Sequence, residues 1–188
     1  MNNQEHIKLL HQGEAFFSVA LVGFPGSGKT TVGKQLARAL QYEFLDMDIL
    51  FGQRYEVPVN LFIKKYGETM FRKCEYDLLT EIVEKPYTVI SCGGGTPCFF
   101  NSMDLLLQNA FTIYIKMAQK SLYQRLLNSK RTRPLVHKED PEAIMAFIEK
   151  TLPAREAYYN RAHLCYKGED FHLNELLQVL PLEGTPLI

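Results

Sequence analysis

The sequence predicts an α/β fold in which a parallel β-sheet carries helices on both faces. Short apolar, β-branched segments alternate with longer segments of helical periodicity along most of the 188 residues, and this alternation is typical of strands joined by helices. A glycine-rich loop stands between the first predicted strand and the first predicted helix, as in nucleotide-binding sheets. We therefore expect one three-layer α/β/α domain over residues 1–188, with ligands at the carboxyl ends of its strands.

Composition argues against several classes of protein. The 21 Lys plus Arg residues balance the 21 Asp plus Glu residues, so a general binder of nucleic acid or of anionic membranes is not expected. No apolar run reaches the roughly 18 residues of a membrane span, and the polar N-terminus lacks the apolar region of a signal peptide. The four cysteines form no C-x-x-C pair, which predicts reduced thiols in a cytoplasmic protein. We expect a monomer with no nucleic-acid or membrane partner.

The motif GFPGSGKT, Gly23 to Thr30, fits the pattern G-x-x-x-x-G-K-[ST] and stands between a predicted strand, Phe16 to Val22, and a predicted helix, Thr31 to Leu40. Backbone N–H groups of such a loop surround phosphate oxygens at the positive end of the helix. Lys29 would reach the β- and γ-phosphates, and the Thr30 hydroxyl would ligate Mg²⁺. The predicted nucleotide-binding residues are Gly26, Ser27, Gly28, Lys29, Thr30 and Thr31.

A second predicted strand, Tyr42 to Leu45, leads into Asp46 and Asp48. In extended backbone, residues two apart project to one side, so one carboxylate would hold the metal while the other faces the substrate. Phosphoryl transfer to an alcohol needs a metal that neutralises charge on the phosphates, and a carboxylate that orients the hydroxyl or accepts its proton. The alternative is a pair of aspartates that cap a helix beginning near Ile49.

Pro58 begins a helical segment that Gly67 closes, and a longer helix is predicted from about Glu68 to Glu84. Its predicted buried stripe is Met70, Phe71, Cys74, Leu78, Ile82 and Val83. Arg72 and Glu75 lie beside that stripe. They form either a surface i,i+3 ion pair, or a pair in which Glu75 orients the Arg72 guanidinium for bidentate binding of a carboxylate. The spacing alone does not distinguish these two alternatives.

A third predicted strand, Tyr87 to Ser91, leads into Gly93-Gly94-Gly95. Three consecutive glycines are costly to order. We therefore interpret them as a surface on which a ligand approaches bare backbone, with a tight strand-to-helix turn as the alternative.

The remaining segments continue the alternation of helices and strands. The predicted elements are a helix near Ser102 to Gln108, a strand from Phe111 to Ile115, helices from Gln119 to Leu127 and Pro141 to Asn160, a strand from His163 to Tyr166, and a helix near Phe171 to Leu180. Lys130 to Pro134 is either a solvated loop or a mobile lid that brings an arginine to the transferring phosphate. Arg155 stands in a helix, where residue type alone does not indicate ligand contact.

Taken together, these segments resemble the shikimate kinase family over roughly residues 19–163. The shared segments are GFPGSGKTTVGKQLA, FLDMD, FRKCE, VISCGGGTPC, RTRPL and REAYYNRA. A P-loop alone occurs in many unrelated folds, whereas the ordered set D-x-D, F-R-x-x-E, G-G-G and R-P-L is specific. The chain departs from the family's usual residues at Pro25, at Ala157 and at Lys167 to Asp170, the segment that touches adenine in the family.

The resemblance implies a nucleoside-monophosphate-kinase-like fold with a five-stranded parallel sheet in the order 2-3-1-4-5. It implies Mg²⁺-dependent transfer of the ATP γ-phosphate to the 3-hydroxyl of shikimate, toward chorismate and the aromatic amino acids. The alternatives are a kinase for another small hydroxy acid such as gluconate, and a nucleotide-binding homologue without catalysis. The expected subregions are an N-terminal extension at 1–15, a substrate-binding part at about 47–76, a lid at about 128–139 and a tail at 181–188.

The resemblance also implies the roles of individual residues. The catalytic residues are Lys29, Asp48 and Arg133, of which Arg133 lies on the lid and also binds the nucleotide. The metal residues are Thr30 and Asp46, with Asp46 acting through water. The shikimate site consists of Asp48, Arg72, Gly93, Gly94, Gly95 and Arg155. Within it the two arginines clamp the carboxylate, and Asp48 is the favoured base.

Overall fold

The computed structural model describes residues 18–129 and 140–181, whose strands form one five-stranded sheet. The strands are β1 (Val19–Val22), β2 (Glu43–Asp46), β3 (Thr88–Ser91), β4 (Phe111–Lys116) and β5 (Leu164–Lys167). Their order is β2-β3-β1-β4-β5, and every neighbouring pair is parallel. The sheet order implied by the family resemblance is therefore confirmed.

Helices join the strands within the described residues. They are α1 (Lys29–Leu40), α2 (Met47–Tyr55), α3 (Val59–Ile82), α4 (Ser102–Asn109), α5 (Gln119–Leu127), α6 (Pro141–Tyr159) and α7 (Leu173–Gln178). A short 3₁₀ helix, Thr96–Cys98, follows β3. None of these helices is both long and apolar enough to span a bilayer.

The central strand β1 shows how the three layers are built. Its four side chains are fully buried, and successive side chains of a strand point to opposite faces of the sheet. Ala20 and Val22 pack in a core with residues of α2 to α6, whereas Val19 and Leu21 pack in a second core with α1 and α7. A parallel strand covered on both faces is apolar throughout, which explains the continuous apolar run.

Helix α3 has the interruption that the sequence predicted, and its buried side matches the predicted stripe at Phe71, Leu78 and Ile82 but not at Met70. Gly67 leaves helical geometry at φ 83° and ψ 163°. Met70, predicted to be buried, is 49% exposed, while Arg72 and Glu75 are buried. The charged pair can replace apolar residues inside because each group is paired and hydrogen-bonded there.

The prediction that Asp46 and Asp48 share an extended backbone is wrong. Strand β2 ends at Asp46, and α2 begins at Met47. Asp46 is the N-cap of that helix: its Oδ1 accepts hydrogen bonds from the backbone N–H groups of Asp48 (3.2 Å) and Ile49 (3.4 Å). The capping alternative is therefore correct for Asp46, because its carboxylate satisfies N–H groups that a first helical turn leaves unpaired.

Several expected segments lie outside the described residues. These are the N-terminal extension at 1–15, most of the lid with Arg133, and the tail after residue 181.

Candidate active site

The carboxyl ends of β1, β2 and β3 border a cleft of about 1090 Å³. The glycine-rich loop follows β1, the two aspartates stand at the end of β2, and the triple glycine follows β3. The cleft is lined by every predicted site residue except Ser27, which is buried in the loop beside it, and Arg133, which lies outside the described residues. Arg72 and the three glycines therefore face the same space as Lys29.

The glycine-rich loop depends on backbone conformations that other residues rarely adopt. The φ angles are 144° at Gly23, 91° at Gly26 and 99° at Gly28, in the region that glycine reaches without a steric penalty. A β-carbon on Gly23 would also lie 2.7 Å from the carbonyl oxygen of Ile115. The loop is thus held in shape by its own backbone and by close packing on β4.

Lys29 and Ser27 present polar groups within this loop. Lys29 is 8% exposed, and its ammonium donates hydrogen bonds to the carbonyl oxygens of Gly23 (2.8 Å) and Phe24 (3.0 Å). The Ser27 hydroxyl is buried and has no hydrogen-bond partner among residues 18–129 and 140–181. Buried hydroxyls are seldom left unpaired, and a phosphate oxygen in the loop would supply the missing partner.

Thr30 and Asp46 bring two oxygen atoms together at the edge of the cleft. The Thr30 hydroxyl donates a hydrogen bond of 2.9 Å to Asp46 Oδ2. Oxygen donors of this kind suit Mg²⁺, which usually keeps several waters and binds phosphate oxygens as well. The described residues contain no group of three or more His, Cys, Asp or Glu arranged to hold a metal ion.

Arg72 is held by carboxylates on both sides of its guanidinium. Its Nη1 donates to Glu75 Oε2 (2.8 Å), and its Nε and Nη2 donate to Glu68 Oε1 (3.2 and 2.9 Å). The side chains of Arg72 and Glu75 are only 7% and 5% exposed, so a surface i,i+3 pair is excluded. Although burial lowers the pKa of Arg72, the two carboxylates raise it above its ordinary value, which keeps the guanidinium charged.

Glu75 is the least solvated charged group of the cleft. Its second oxygen, Oε1, accepts a hydrogen bond of 2.6 Å from the Thr96 hydroxyl. Burial raises the pKa of the Glu75 carboxyl, and Asp48 raises it further, while Arg72 and Thr96 act in the opposite direction. Glu75 therefore joins α3 to the segment after β3 and lies within electrostatic range of Asp48.

Aromatic rings support both predicted carboxylate-binding arginines. The Arg72 Cζ atom lies 4.4 Å from the ring centroid of Phe99. Arg155 is also buried, and its Cζ atom lies 5.6 Å and 5.8 Å from the ring centroids of Phe24 and Phe147. Contacts of this type favour a guanidinium in a desolvated position.

The triple glycine allows protein groups to approach bare backbone. A β-carbon would lie 2.8 Å from Glu75 Oε1 if added at Gly93, 2.5 Å from Pro25 Cδ at Gly94, and 2.5 Å from Arg72 Nη2 at Gly95. None of the three glycines is among the described residues that have a positive φ. Close approach, rather than an unusual backbone angle, is thus the reason for glycine at these positions.

Three residues that contact the site carried no prediction. Glu68 precedes Arg72 by four residues, a spacing that brings helical side chains together, so the sequence contained a signal. Thr96 reaches Glu75, and the Tyr159 hydroxyl donates a hydrogen bond to the Gly94 carbonyl. These last two contacts join distant segments and have no local sequence signal.

Arg125 contacts the glycine-rich loop from α5. Its Nη1 donates to the Ser27 carbonyl oxygen (3.2 Å). Glu169, in the segment that departs from the family pattern, accepts a hydrogen bond of 2.7 Å from the Ala118 N–H. This acidic residue therefore lies at the start of the helix that carries Arg125.

Comparison with known proteins gives one consistent result. The family model for shikimate kinase matches residues 25–179. The shikimate kinase of Azobacteroides pseudotrichonymphae is 38% identical over 163 residues, which are 86% of this chain and 96% of that protein. The crystal structure of shikimate kinase from Bacteroides thetaiotaomicron matches with a TM-score of 0.81 and 31% identity, covering 87% of this chain and 99% of that one. Shikimate kinase from Acinetobacter baumannii in complex with shikimate matches with a TM-score of 0.76 and 29% identity, covering 92% and 93%.

Proposed function

The chain belongs to the shikimate kinase family, and from that premise we propose how its cleft transfers the γ-phosphate of ATP to the 3-hydroxyl of shikimate. The chain is an ATP-dependent kinase that phosphorylates shikimate, a step of aromatic amino-acid biosynthesis. The roles proposed for the individual site residues rest on one observation. Two buried arginines, the triple glycine and Asp48 line the same cleft as the phosphate-loop lysine.

Arg72 and Arg155 bind the carboxylate of shikimate. Both guanidinium groups are buried and rest against aromatic rings, so their charge is poorly screened by water. Glu75 fixes the Arg72 fork through Nη1. A carboxylate that replaces water between two such groups gains charge-assisted hydrogen bonds, which are the stronger kind.

The glycine-rich loop and Lys29 bind the phosphates. The loop's N–H groups and the N-terminus of α1 provide positive potential for phosphate oxygens. The Lys29 ammonium, which lies against loop carbonyls, would exchange those contacts for the β- and γ-phosphates. Charge on the transferring phosphoryl group is stabilised without any covalent step by the protein.

Thr30 and Asp46 would hold Mg²⁺, Thr30 directly and Asp46 through water. The donor set fits, because the hydroxyl and the carboxylate are already within 2.9 Å of each other and both are oxygen ligands. When bound, the ion neutralises charge on the β- and γ-phosphates. Arg133 is proposed to add a second cation there.

Asp48 orients the 3-hydroxyl and accepts its proton. Its carboxylate borders the glycines, since a β-carbon on Gly93 would lie 3.5 Å from Asp48 Oδ1. Its side chain extends from the first turn of α2, lines the cleft and is exposed. A carboxylate beside the attacking oxygen serves as the base in phosphoryl transfer to alcohols.

A substrate panel tests the proposed function. ADP release with Mg·ATP would be measured for shikimate, quinate, gluconate and nucleoside monophosphates at matched concentrations. We expect shikimate to give the highest kcat/KM because its rigid ring holds the carboxylate and the 3-hydroxyl at a fixed separation, whereas open-chain gluconate must be ordered on binding and nucleoside monophosphates have no carboxylate for the two arginines. Turnover of gluconate without turnover of shikimate would contradict the proposal.

Oligomeric state and location are further proposals. We propose a cytoplasmic monomer. Support for the location comes from the four cysteines, all of which are free thiols. Light scattering coupled to size-exclusion chromatography would measure the molar mass, and a dimer's mass at assay concentration would contradict the monomer.

A further inference from the structure

Helix α6 contributes two residues of one face to the acid side of the cleft. Arg155 and Tyr159 stand four residues apart, a spacing that brings side chains together, and both are buried. The Tyr159 hydroxyl donates a hydrogen bond to the carbonyl oxygen of Gly94. Burial raises the pKa of the Tyr159 hydroxyl, and the Arg155 guanidinium acts in the opposite direction, as expected for two groups that the i,i+4 spacing brings together.

The hydrogen bond to Gly94 fixes a peptide that has no side chain to hold it. Gly94 and Gly95 are conformationally permissive, so their shared peptide plane needs an external contact to keep one orientation. In a planar trans peptide the carbonyl and the following N–H point in opposite directions. Anchoring the Gly94 carbonyl on Tyr159 therefore also sets the direction of the Gly95 N–H. Gly95 itself packs closely on Arg72, since an added β-carbon there would lie 2.5 Å from Arg72 Nη2.

We propose that Tyr159 is a positioning residue for shikimate binding, which orients the triple glycine through the Gly94 carbonyl and the Arg155 guanidinium through the same hydroxyl. This inference rests on the proposed function, since it assumes that Arg155 and the glycines bind the acid. Tyr159 itself need not touch the substrate. Its effect is to keep the Gly94–Gly95 peptide and the Arg155 guanidinium at a fixed separation.

The chain provides a matched control in Tyr114. Its hydroxyl is also on a buried ring and donates a 2.9 Å hydrogen bond to Glu156, the neighbour of Arg155 on α6. The rings of Tyr114 and Tyr159 lie 5.1 Å apart. Like Tyr159→Phe, Tyr114→Phe removes one phenolic oxygen and one hydrogen bond that involves α6. It leaves the contacts of Gly94 and Arg155 unchanged.

Steady-state kinetics of Tyr159→Phe and Tyr114→Phe test the proposal. We expect Tyr159→Phe to raise KM for shikimate about tenfold, the effect of one lost buried hydrogen bond, with kcat and KM for ATP nearly unchanged. Tyr114→Phe should lower the thermal midpoint to a similar degree without changing KM for shikimate. Adding Tyr159→Phe to Arg155→Lys should raise KM by less than it does in the wild type, because the two residues act as a unit.

The outcomes separate this inference from the proposed function. A wild-type chain that fails to phosphorylate shikimate overturns both. If the wild type is active, equal shikimate KM values for Tyr159→Phe and Tyr114→Phe overturn the inference alone. An equal rise in KM for ATP in Tyr159→Phe, or full additivity with Arg155→Lys, also overturns it. Calorimetric titration of shikimate into each folded variant gives the same decision if a variant is too slow to assay.

Discussion

The two walls of the cleft are organised in different ways. The phosphate wall is the glycine-rich loop with the start of α1, and the acid wall consists of Asp48, Arg72, Gly93 to Gly95 and Arg155. On the phosphate wall, glycine backbone in positive-φ conformations and the N-terminus of α1 create the site. On the acid wall, buried side chains hold one another: Arg72 is fixed by Glu68 and Glu75, and Glu75 by Thr96. The phosphate wall is therefore encoded within one short segment, whereas the acid wall requires α3, α6 and the segment after β3 to come together.

This difference predicts which substrate each substitution should affect. Changes on the acid wall should weaken shikimate binding or the chemical step and leave ATP binding intact. Changes in the glycine-rich loop should act through ATP.

The largest effect is expected from Asp48→Asn. Losing the proposed base should reduce kcat by about 10²–10⁴, while ATP binds normally because Asp48 is not part of the phosphate loop. Single-turnover rates and calorimetric ATP affinity would measure the two effects. Asp77→Asn, an exposed aspartate on α3, serves as the control, and an Asp48→Asn variant with wild-type turnover would remove Asp48 as the base.

A slightly smaller effect is expected from Arg72→Ala. Removing one member of a desolvated charge cluster should weaken shikimate binding by about 2–5 kcal/mol, seen as a raised KM for the acid at unchanged KM for ATP. Arg54→Ala breaks the exposed ion pair with Glu81 and should leave both constants unchanged. An unaltered KM for shikimate in Arg72→Ala would mean that the carboxylate binds elsewhere.

A pair of glycine substitutions compares the walls directly. In Gly95→Ala the new methyl group would displace the Arg72 guanidinium, which its carboxylate partners hold within 2.5 Å of that position, and so raise KM for shikimate. In Gly28→Ala, alanine would have to adopt φ 99°, a strain of about 1–3 kcal/mol, and KM for ATP should rise.

The crossed design of this pair makes the result decisive. Kinetics with each substrate varied in turn give four KM values. The proposed division of the cleft predicts one raised constant per variant, on opposite substrates. If both variants raised both constants equally, the two walls would not be independent.

The smallest effect is expected outside the cleft lining, from Glu169→Gln, at the start of the helix that carries Arg125. Burial raises the pKa of the Glu169 carboxyl, but the hydrogen bond from the Ala118 N–H, with smaller contributions from Ser121 and Arg125, lowers it below its ordinary value of 4.5. A depressed folded-state pKa stabilises the fold above the unfolded pKa, and the stabilisation is lost as pH falls through the folded value. The difference in thermal midpoint between wild type and Glu169→Gln should thus be present near neutral pH and disappear in acid. A difference that persists or grows below the carboxyl pKa would contradict this.

The contrast between the walls also explains what the sequence could predict. The phosphate loop was predictable because strand, glycines and helix are contiguous, and the sheet order followed from a family resemblance built on ordered motifs. The exposure of Met70 and the burial of Arg72 were not predictable from periodicity, because a buried ion pair reverses the usual preference for apolar side chains. Asp48 was misplaced because Asp46 caps a helix directly, without a connecting loop. Tyr159 was missed because its bond to Gly94 spans 65 residues.

The most direct test of the carboxylate-binding wall combines one change in the protein with one in the substrate. The kcat/KM values for shikimate and its methyl ester would be measured in wild type and in Arg72→Ala. If Arg72 binds the carboxylate, esterification should cost the wild type most of its kcat/KM and should cost Arg72→Ala far less, since the two changes remove the same interaction. An equal penalty for the ester in both proteins would contradict that assignment.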